Sequence, residues 1–344
     1  MEKILVALSG GVDSSTSALL LKEQGYDVHS AIMMFQGISD EVIKYASDAA
    51  HALDIPFQVF DFTKEFQDMI LSNFLREYER GRTPNPCIRC NELMKFGVFM
   101  DQVHQLGIDK IATGHYARIE KDDNRYLLKR GIDKNEQSYF LYRLKQKQLS
   151  KLVLPLADFT KEMVRQKARS SNLPTAKRKK SQDICFISEK NYTSFLKGKV
   201  RSKPGVICDK TGKIIGEHKG ILAYTIGQRK GIGLSHQLPY YVTDIDAEKN
   251  IIYVGEQQDA FRSQFIAEYL NFIPFDKLTS KIIVQAKTRY ISSLSEATIE
   301  PYKKGSVKVV FKKAQWAATP GQSVVFYSDD TVLGGGIIER VFDT

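Results

Sequence analysis

The chain has 344 residues and sets 50 lysines and arginines against 40 acids, and its formal charge of +10 favours a polyanionic partner. A hydrophobic fraction of 42% can fill a core in each of two or three domains, which excludes disorder, a collagen-like fibre and a disulfide-built miniprotein. Four cysteines (Cys87, Cys90, Cys185, Cys208) are too few for a stapled secreted scaffold, and the N-terminal apolar run at 4–8 is too short for a signal segment or a spanning helix, so the expectation is a cytoplasmic protein. In chain order, β-branched runs at 3–8, 28–34, 57–60 and 110–113 alternate with helical patterns at 14–24, 40–53, 64–79 and 91–106. That alternation predicts an α/β domain with a doubly wound parallel sheet. A further helical stretch at 160–172 leads into the basic run Lys177, Arg178, Lys179 and Lys180, and the first domain is expected to span 1–202. From about residue 203 the helical period disappears. Turn pairs such as Pro204-Gly205, Thr211-Gly212 and Lys219-Gly220 separate strand-length runs at 240–246, 251–254, 281–286, 306–311 and 323–326. These predict two small β-rich modules, 203–265 and 266–344, the last a β-barrel.

Directly after the first strand comes Ser9-Gly10-Gly11-Val12-Asp13-Ser14-Ser15, then a helix. Two glycines let the backbone turn sharply and expose N–H groups, and hydroxyls and a helix N-terminus complete a cradle for phosphate. A kinase-type loop would carry a lysine after its last glycine, and none is present. The loop resembles the SGGxDS loop of the ATP pyrophosphatases, with an adenine-nucleotide α-hydrolase-like domain. That resemblance implies cleavage of ATP between its α and β phosphates, with Asp13 holding Mg²⁺ against the departing pyrophosphate.

Gly81-Arg82-Thr83-Pro84-Asn85-Pro86-Cys87-Ile88-Arg89-Cys90-Asn91 reads as a rigid loop ending at a helix start, with Lys95 one turn on. A cysteine at a helix N-terminus beside Arg89 is expected to have a stabilised thiolate, which makes Cys90 a candidate nucleophile. Cys185 lies in a strand-like apolar run, Ile184-Cys185-Phe186-Ile187, just after the basic tract. On its own it would read as a small core residue.

SGGVDSS, GRTPNPCIRCN, ATGHYA, QSYFLYRL, ICFI, GQRKGIG, TRY, ATPGQ and LGGGII together make the chain resemble the tRNA-specific 2-thiouridylases over nearly its whole length. The resemblance implies a sulfurtransferase that replaces the 2-oxygen of the wobble uridine with sulfur, using ATP with Mg²⁺. It implies that Cys90 is the nucleophile and Cys185 the persulfide carrier, the two closing a transient disulfide as sulfide is released. Ala7, Leu8, Ser9, Gly10, Gly11, Val12, Asp13, Ser14, Met33 and Gly114 match ATP contacts. Asn85, Pro86 and Cys87 match the segment beside the target base. His115, Asn135, Glu136, Gln137, Arg289, Tyr290 and Gln322 match tRNA contacts, the last three in a tRNA-binding C-terminal barrel. Lys179 and Lys180, just before Cys185, read as a phosphate clamp for the anticodon arm, against the ordinary alternative of a solvated face. Arg229 and Lys230 either face RNA or join the modules. Cys208 reads as a bystander. The partners implied are tRNA and a sulfur donor protein such as a cysteine desulfurase or a sulfur relay protein.

Three departures from the family pattern stand out: Cys87 where many relatives have an acid, Asn135-Glu136-Gln137 where Lys-Asp-Gln is common, and the absence of an acidic insertion after Met34. Two other chemistries compete. Cys87, Cys90 and Cys185 could ligate a 4Fe-4S cluster, or the chain could be an amide-forming ligase of the same loop class.

Overall fold

The strand β1 (Lys3–Ala7) sends Ile4 and Val6 into one apolar core and Leu5 into another, the period-two alternation of a strand buried on both faces. The computed structural model describes residues 1–178, 184–187, 192–196, 198–200, 202–234, 239–303 and 305–342. After β1 the first domain contributes β2 (Asp27–Met34), β3 (Phe57–Asp61), β4 (Lys110–Ala112), β5 (Ala117–Asp122), β6 (Arg125–Arg130) and β7 (Leu152–Val153). Four of these join β1 in a five-stranded parallel sheet of order β3-β2-β1-β4-β7. The helices α1 (Val12–Glu23) and α2 (Asp40–Ala52) cover it as the alternation predicts. Strand order reverses between β1 and β4, so a crevice opens at their carboxyl ends, the usual ligand position in such sheets.

The expected helix at 91–106 begins earlier than read. Pro86–Cys90 is already helical and continues through the wider π-type turns Asn91–Val98 into Phe99–Gln105, with a break at Gly97. Cys90 is therefore the last residue of the opening helical segment and does not occupy a helix N-terminus.

The hairpin β5–β6 is an addition to the sequence reading. It turns at Asp123, whose φ of +47 is left-handed, and pairs through Lys129 with Thr331 of the C-terminal module. Its alternation is weak because more than half of its strand residues are charged.

The central module is a four-stranded sheet, β10-β11-β8-β9, built from β8 (Gly205–Cys208), β9 (Ile214–His218), β10 (Tyr241–Asp246) and β11 (Ile251–Gly255). The last module runs β12 (Phe261–Phe272), β13 (Ile282–Lys287), β14 (Ser295–Pro301), β15 (Val307–Trp316), β16 (Ser323–Ser328) and β17 (Thr331–Val341). These pair in the order β12-β15-β14-β13-β16-β17, and β12 closes on β17 to make a barrel; β6 and β5 extend the sheet from β17. The first barrel strand starts at Phe261, ahead of the expected 265/266 break. The glycines of β17 are needed for closure: a Cβ on Gly335 would lie 2.4 Å from the Val324 carbonyl and 2.8 Å from the Tyr142 ring.

That Tyr142 contact marks the main interface. Tyr139 and Tyr142 are fully buried, and their hydroxyls reach Ser323, 2.8 Å to its carbonyl and 3.1 Å to its Oγ. The core around them continues into Val325, Tyr327 and Val332, so the first domain and the barrel share one apolar interior. Among the described residues no helix is long and apolar enough to cross a membrane.

Candidate active site

The crevice at the end of the parallel sheet is roofed by the barrel, enclosing a cavity of 610 Å³. On one side stands the phosphate loop. Gly10 takes φ +66, and a Cβ there would lie 2.6 Å from both the Val42 carbonyl and Arg178 Nη1. Arg178 donates to the Gly10 carbonyl at 2.6 Å and lies over the Tyr45 ring, so the described part of the basic run docks on this loop. Ser9 N–H donates to Ser14 Oγ at 3.1 Å, while Ser15 and Thr175 hydroxyls meet at 2.5 Å. Gly114 presses against the same turn: a Cβ on it would sit 2.7 Å from Ser14 N. Ala7, Leu8, Gly11 and Val12 carry the backbone through this turn. Met33 buries its side chain in the core at the end of β2.

Asp13, expected as a metal ligand, is already engaged. Lys161 Nζ donates to both of its oxygens at 2.6 Å, and Tyr116 OH donates to Oδ1 at 2.6 Å. The Tyr116 phenol is pushed far up by burial and by the Asp13 charge, so it is a hydrogen-bond donor throughout the accessible pH range. Neither partner was read from the sequence. Tyr116 lay inside the motif ATGHYA, whereas Lys161 opens the helix Lys161–Ser170 with no local signal beyond its Thr160 cap. Asp133 Oδ2 accepts Lys161 N–H at 2.6 Å, which fixes that helix end.

The loop with two cysteines forms the opposite wall. Asn85 Oδ1 accepts Ile88 N–H at 3.4 Å and caps the short helix; Asn85, Pro86 and Cys87 all line the cavity. Cys90 lies just behind, buried. The expectation of a stabilised thiolate fails. Burial pushes the Cys90 thiol up to about 12 and the Cys87 thiol up to about 11. Arg89 is turned away, its Nε donating to the Met69 carbonyl at 2.7 Å. The cation that opposes the shift is Lys95.

Cys185 is exposed and lies close enough to act electrostatically on both other thiols. Its segment is a turn and not a strand, closed by Ile187 N–H on the Ile184 carbonyl at 3.0 Å. Phe186 anchors it, with ring centroids 5.3 Å from Phe66 and 5.3 Å from Phe74. The turn crosses Gly37, where a Cβ would be 2.5 Å from Phe186 Cα. The uninserted segment after Met34 is thus the bed on which Cys185 rests. All four cysteines are free thiols, and Cys208 is buried in β8.

His115 lines the cavity with its Nδ1 2.8 Å from Thr113 Oγ1; burial and Lys95 depress its basicity well below the usual imidazole range, so it is neutral. Gln137 Oε1 accepts Tyr116 N–H at 3.1 Å, and the Asn135 carbonyl accepts Tyr290 OH at 2.9 Å. This loop therefore connects the Asp13 network to the barrel. Glu136 departs from the expected tRNA contact: it is buried, accepting Ser138 N–H at 2.9 Å and pairing with Arg130 at 3.3 Å.

From the barrel, Arg289 donates to the Ala317 carbonyl at 2.9 Å and the Ile226 carbonyl at 3.3 Å, bridging the central module. Tyr290 packs on Phe140, centroids 4.6 Å apart. Gln322 Nε2 donates to the Thr83 carbonyl at 2.8 Å and so pins the cysteine loop to the barrel. All three line the cavity. Arg229 and Lys230 are exposed, on a turn whose Gly227 packs against Trp316. Lys179 and Lys180 lie outside the described residues. Among the described residues no three His, Cys, Asp or Glu side chains converge on a single metal ion.

Residues 2–189 match the tRNA methyl transferase HUP domain, 193–256 the tRNA methyl transferase PRC-barrel domain and 262–338 the aminomethyltransferase beta-barrel domain. The tRNA-specific 2-thiouridylase MnmA of Clostridium beijerinckii is 45% identical over 355 residues, covering 99% of each chain. The tRNA-specific 2-thiouridylase MnmA 2 of Thermoanaerobacter pseudethanolicus is 47% identical over 356 residues, covering 98% of each. Among solved structures, the U34-tRNA thiolase NcsA from Methanococcus maripaludis with its 4Fe-4S cluster is 19% identical, covers 54% of this chain and 61% of that one, and has a TM-score of 0.36, too slight a likeness to carry an argument.

Proposed function

The chain belongs to the family of tRNA-specific 2-thiouridylases, and on that premise we propose how its cavity carries out ATP-dependent 2-thiolation of the wobble uridine. The observation that carries the reading is convergence: the Asp13–Lys161 pair, Cys87 with Cys90 buried behind it, and Arg289, Tyr290 and Gln322 of the barrel meet at one cavity, which all but Cys90 line. Oxide is a hopeless leaving group from carbon 2, so the oxygen must first be activated.

The phosphate loop cradles ATP on its backbone N–H groups, and the uridine 2-oxygen bonds to the α-phosphorus as the bond to pyrophosphate breaks. Lys161 supplies the cation that the loop itself lacks, released from Asp13 as phosphates enter. Asp13 then has free oxygens for Mg²⁺, which fits its partly exposed carboxylate only after that exchange; the ion would offset the charge of the leaving pyrophosphate. Neutral His115 is suited to donate or accept a hydrogen bond at the base without adding charge.

Sulfur arrives as a persulfide on Cys185, whose exposure suits reloading by a cysteine desulfurase or sulfur relay protein. The Cys90 sulfur attacks the inner sulfur of the Cys185 persulfide anion and its proton passes to the departing outer sulfur, so hydrosulfide leaves and the Cys90–Cys185 disulfide forms. Hydrosulfide adds to carbon 2, AMP leaves with the oxygen, and a thiol reductant restores the two cysteines. Burial holds the Cys90 thiol protonated, so the proton it gives up goes to the departing sulfur. The test is to incubate the protein with ATP, unmodified tRNA and a persulfide donor. AMP and pyrophosphate are expected in step with 2-thiouridine by nucleoside mass spectrometry; ADP rising in step with thiolation would overturn the reading.

A further inference from the structure

The loop carrying Thr83 to Cys87 has a second face. Behind it lies another cavity, of 270 Å³, which shares Pro84 and Asn85 with the first as a common wall. Five arginines and three glutamates line it, leaving a surplus of two positive charges. The acids are already committed. Arg82 takes Glu339 through two bonds of 2.7 and 2.8 Å and reaches Glu77 at 2.8 Å, while Arg143 holds Glu92 at 2.5 and 3.0 Å. Of the other three arginines, among the described residues Arg80 has only a 3.8 Å approach to the Glu77 that Arg82 already holds, and Arg89 donates only to a backbone carbonyl. Arg76 has no ion pair among the described residues. Burial depresses the Arg89 guanidinium; Glu92 and Glu77 oppose that shift, while the neighbouring Arg143 and Arg76 charges add to it.

At the rim stands Tyr269. It is 66% exposed and held at a left-handed φ of +51, where β12 slips register against β17 between Glu268 and Asn271. That conformation turns a bare aromatic ring outward beside the arginines. Guanidinium groups beside an exposed ring are the composition that binds single-stranded nucleic acid: the cations take phosphates and the ring takes a base.

Resting on the reading of this chain as a tRNA thiolase, we infer that this second cavity binds the anticodon-loop strand next to the wobble nucleotide, with a backbone phosphate at Arg76 and Arg89 and a flanking base stacked on Tyr269. A base extruded into the first cavity leaves its neighbours on the common wall at Pro84 and Asn85, which places them at this second opening. The same guanidinium chemistry would accept free pyrophosphate, so the test separates the two sources.

Binding of a fluorescent anticodon stem-loop is measured across a salt series for the wild type, Arg76→Ala and Tyr269→Ala, with melting curves to verify the fold; both side chains are exposed. Arg76→Ala should flatten the log affinity against log salt slope by about 0.7, the loss of one single-strand phosphate contact. Tyr269→Ala should weaken binding about fivefold or more with the slope unchanged. Wild-type affinity and slope in both folded variants would overturn the inference. So would calorimetric binding of inorganic pyrophosphate that Arg76→Ala abolishes while RNA binding is untouched. Wild-type thiolation of tRNA, measured alongside, tells failure of this site from failure of the functional reading, because the first leaves 2-thiouridine formation intact.

Discussion

The turn at residues 9–14 is shaped from within: Ser9 bonds Ser14 and Gly10 supplies the left-handed bend, while Arg178, Thr175 and Gly114 pack onto a geometry already set by its own strand and helix. Across the same cavity, Cys87 and Cys90 have no such autonomy. Their loop is pinned to the barrel by Gln322 and by Thr83 N–H on the Pro320 carbonyl at 3.0 Å, and Cys185 arrives from a turn anchored in an aromatic cluster. The phosphate loop is local chemistry, whereas the thiol site is an assembly of distant segments. This difference teaches that the two half-reactions should be separable, because activation rests on the phosphate loop with Lys161 and sulfur delivery on the junction of the cysteine segments with the barrel.

The strongest way to break that separation is to remove each centre alone. Asp13→Asn should lower both AMP formation and thiolation by roughly 10³-fold, whereas Cys185→Ser should lower thiolation as far and leave tRNA-dependent pyrophosphate release standing. Chromatography of nucleotides beside nucleoside mass spectrometry reads both, and loss of pyrophosphate release in Cys185→Ser would show the centres to be one unit.

A smaller effect sharpens the local side of the comparison. Lys161→Ala is expected to cost about 10²-fold in AMP formation, the scale of losing one charge stabiliser, with Lys161→Arg recovering part of it. Equal rates in Lys161→Ala and wild type would return Lys161 to a structural role at its helix end.

Cys87→Ser should keep thiolation within about tenfold, since on the persulfide scheme this thiol lines the base cavity without carrying sulfur. If Cys87, Cys90 and Cys185 instead shared a cluster, all three serine variants would lose thiolation alike. They would also lose visible absorption after anaerobic reconstitution, and that result would replace the scheme.

The smallest effect concerns pH. With the Cys90 thiol pushed up to about 12, its folded state holds the proton more tightly than an unfolded thiol of ~8.5. The stability this contributes is present below ~8.5 and is lost as pH rises through about 12. Alkylation of Cys90, followed peptide by peptide, should climb about tenfold per unit between pH 7 and 9 without the plateau of an ordinary thiol. Lys95→Gln removes the cation opposing the shift and should slow it a further few-fold at pH 8; faster labelling would show that Lys95 does not act on this thiol.

The sequence by itself determined the parallel sheet, the phosphate loop, the barrel and the motif residues, because strand alternation, helical period and glycine turns are short-range and each is written within a few neighbouring positions. It did not determine the hairpin β5–β6, whose charged alternation makes sense only as an edge added to a barrel formed some two hundred residues later. Nor could it place Lys161 on Asp13, which lies 148 positions away. The state of Cys90 was misread for the same reason. Its neighbours in sequence are a helix and an arginine, but a thiol titrates according to the dielectric and charges around it in space, and only the folded chain buries Cys90 and turns Arg89 toward Met69. Glu136 likewise looked like a surface contact until the fold enclosed it with Arg130 and Ser138. Local geometry is encoded locally, whereas burial and long-range pairing belong to the tertiary structure, and the chemistry of this cavity depends on the second.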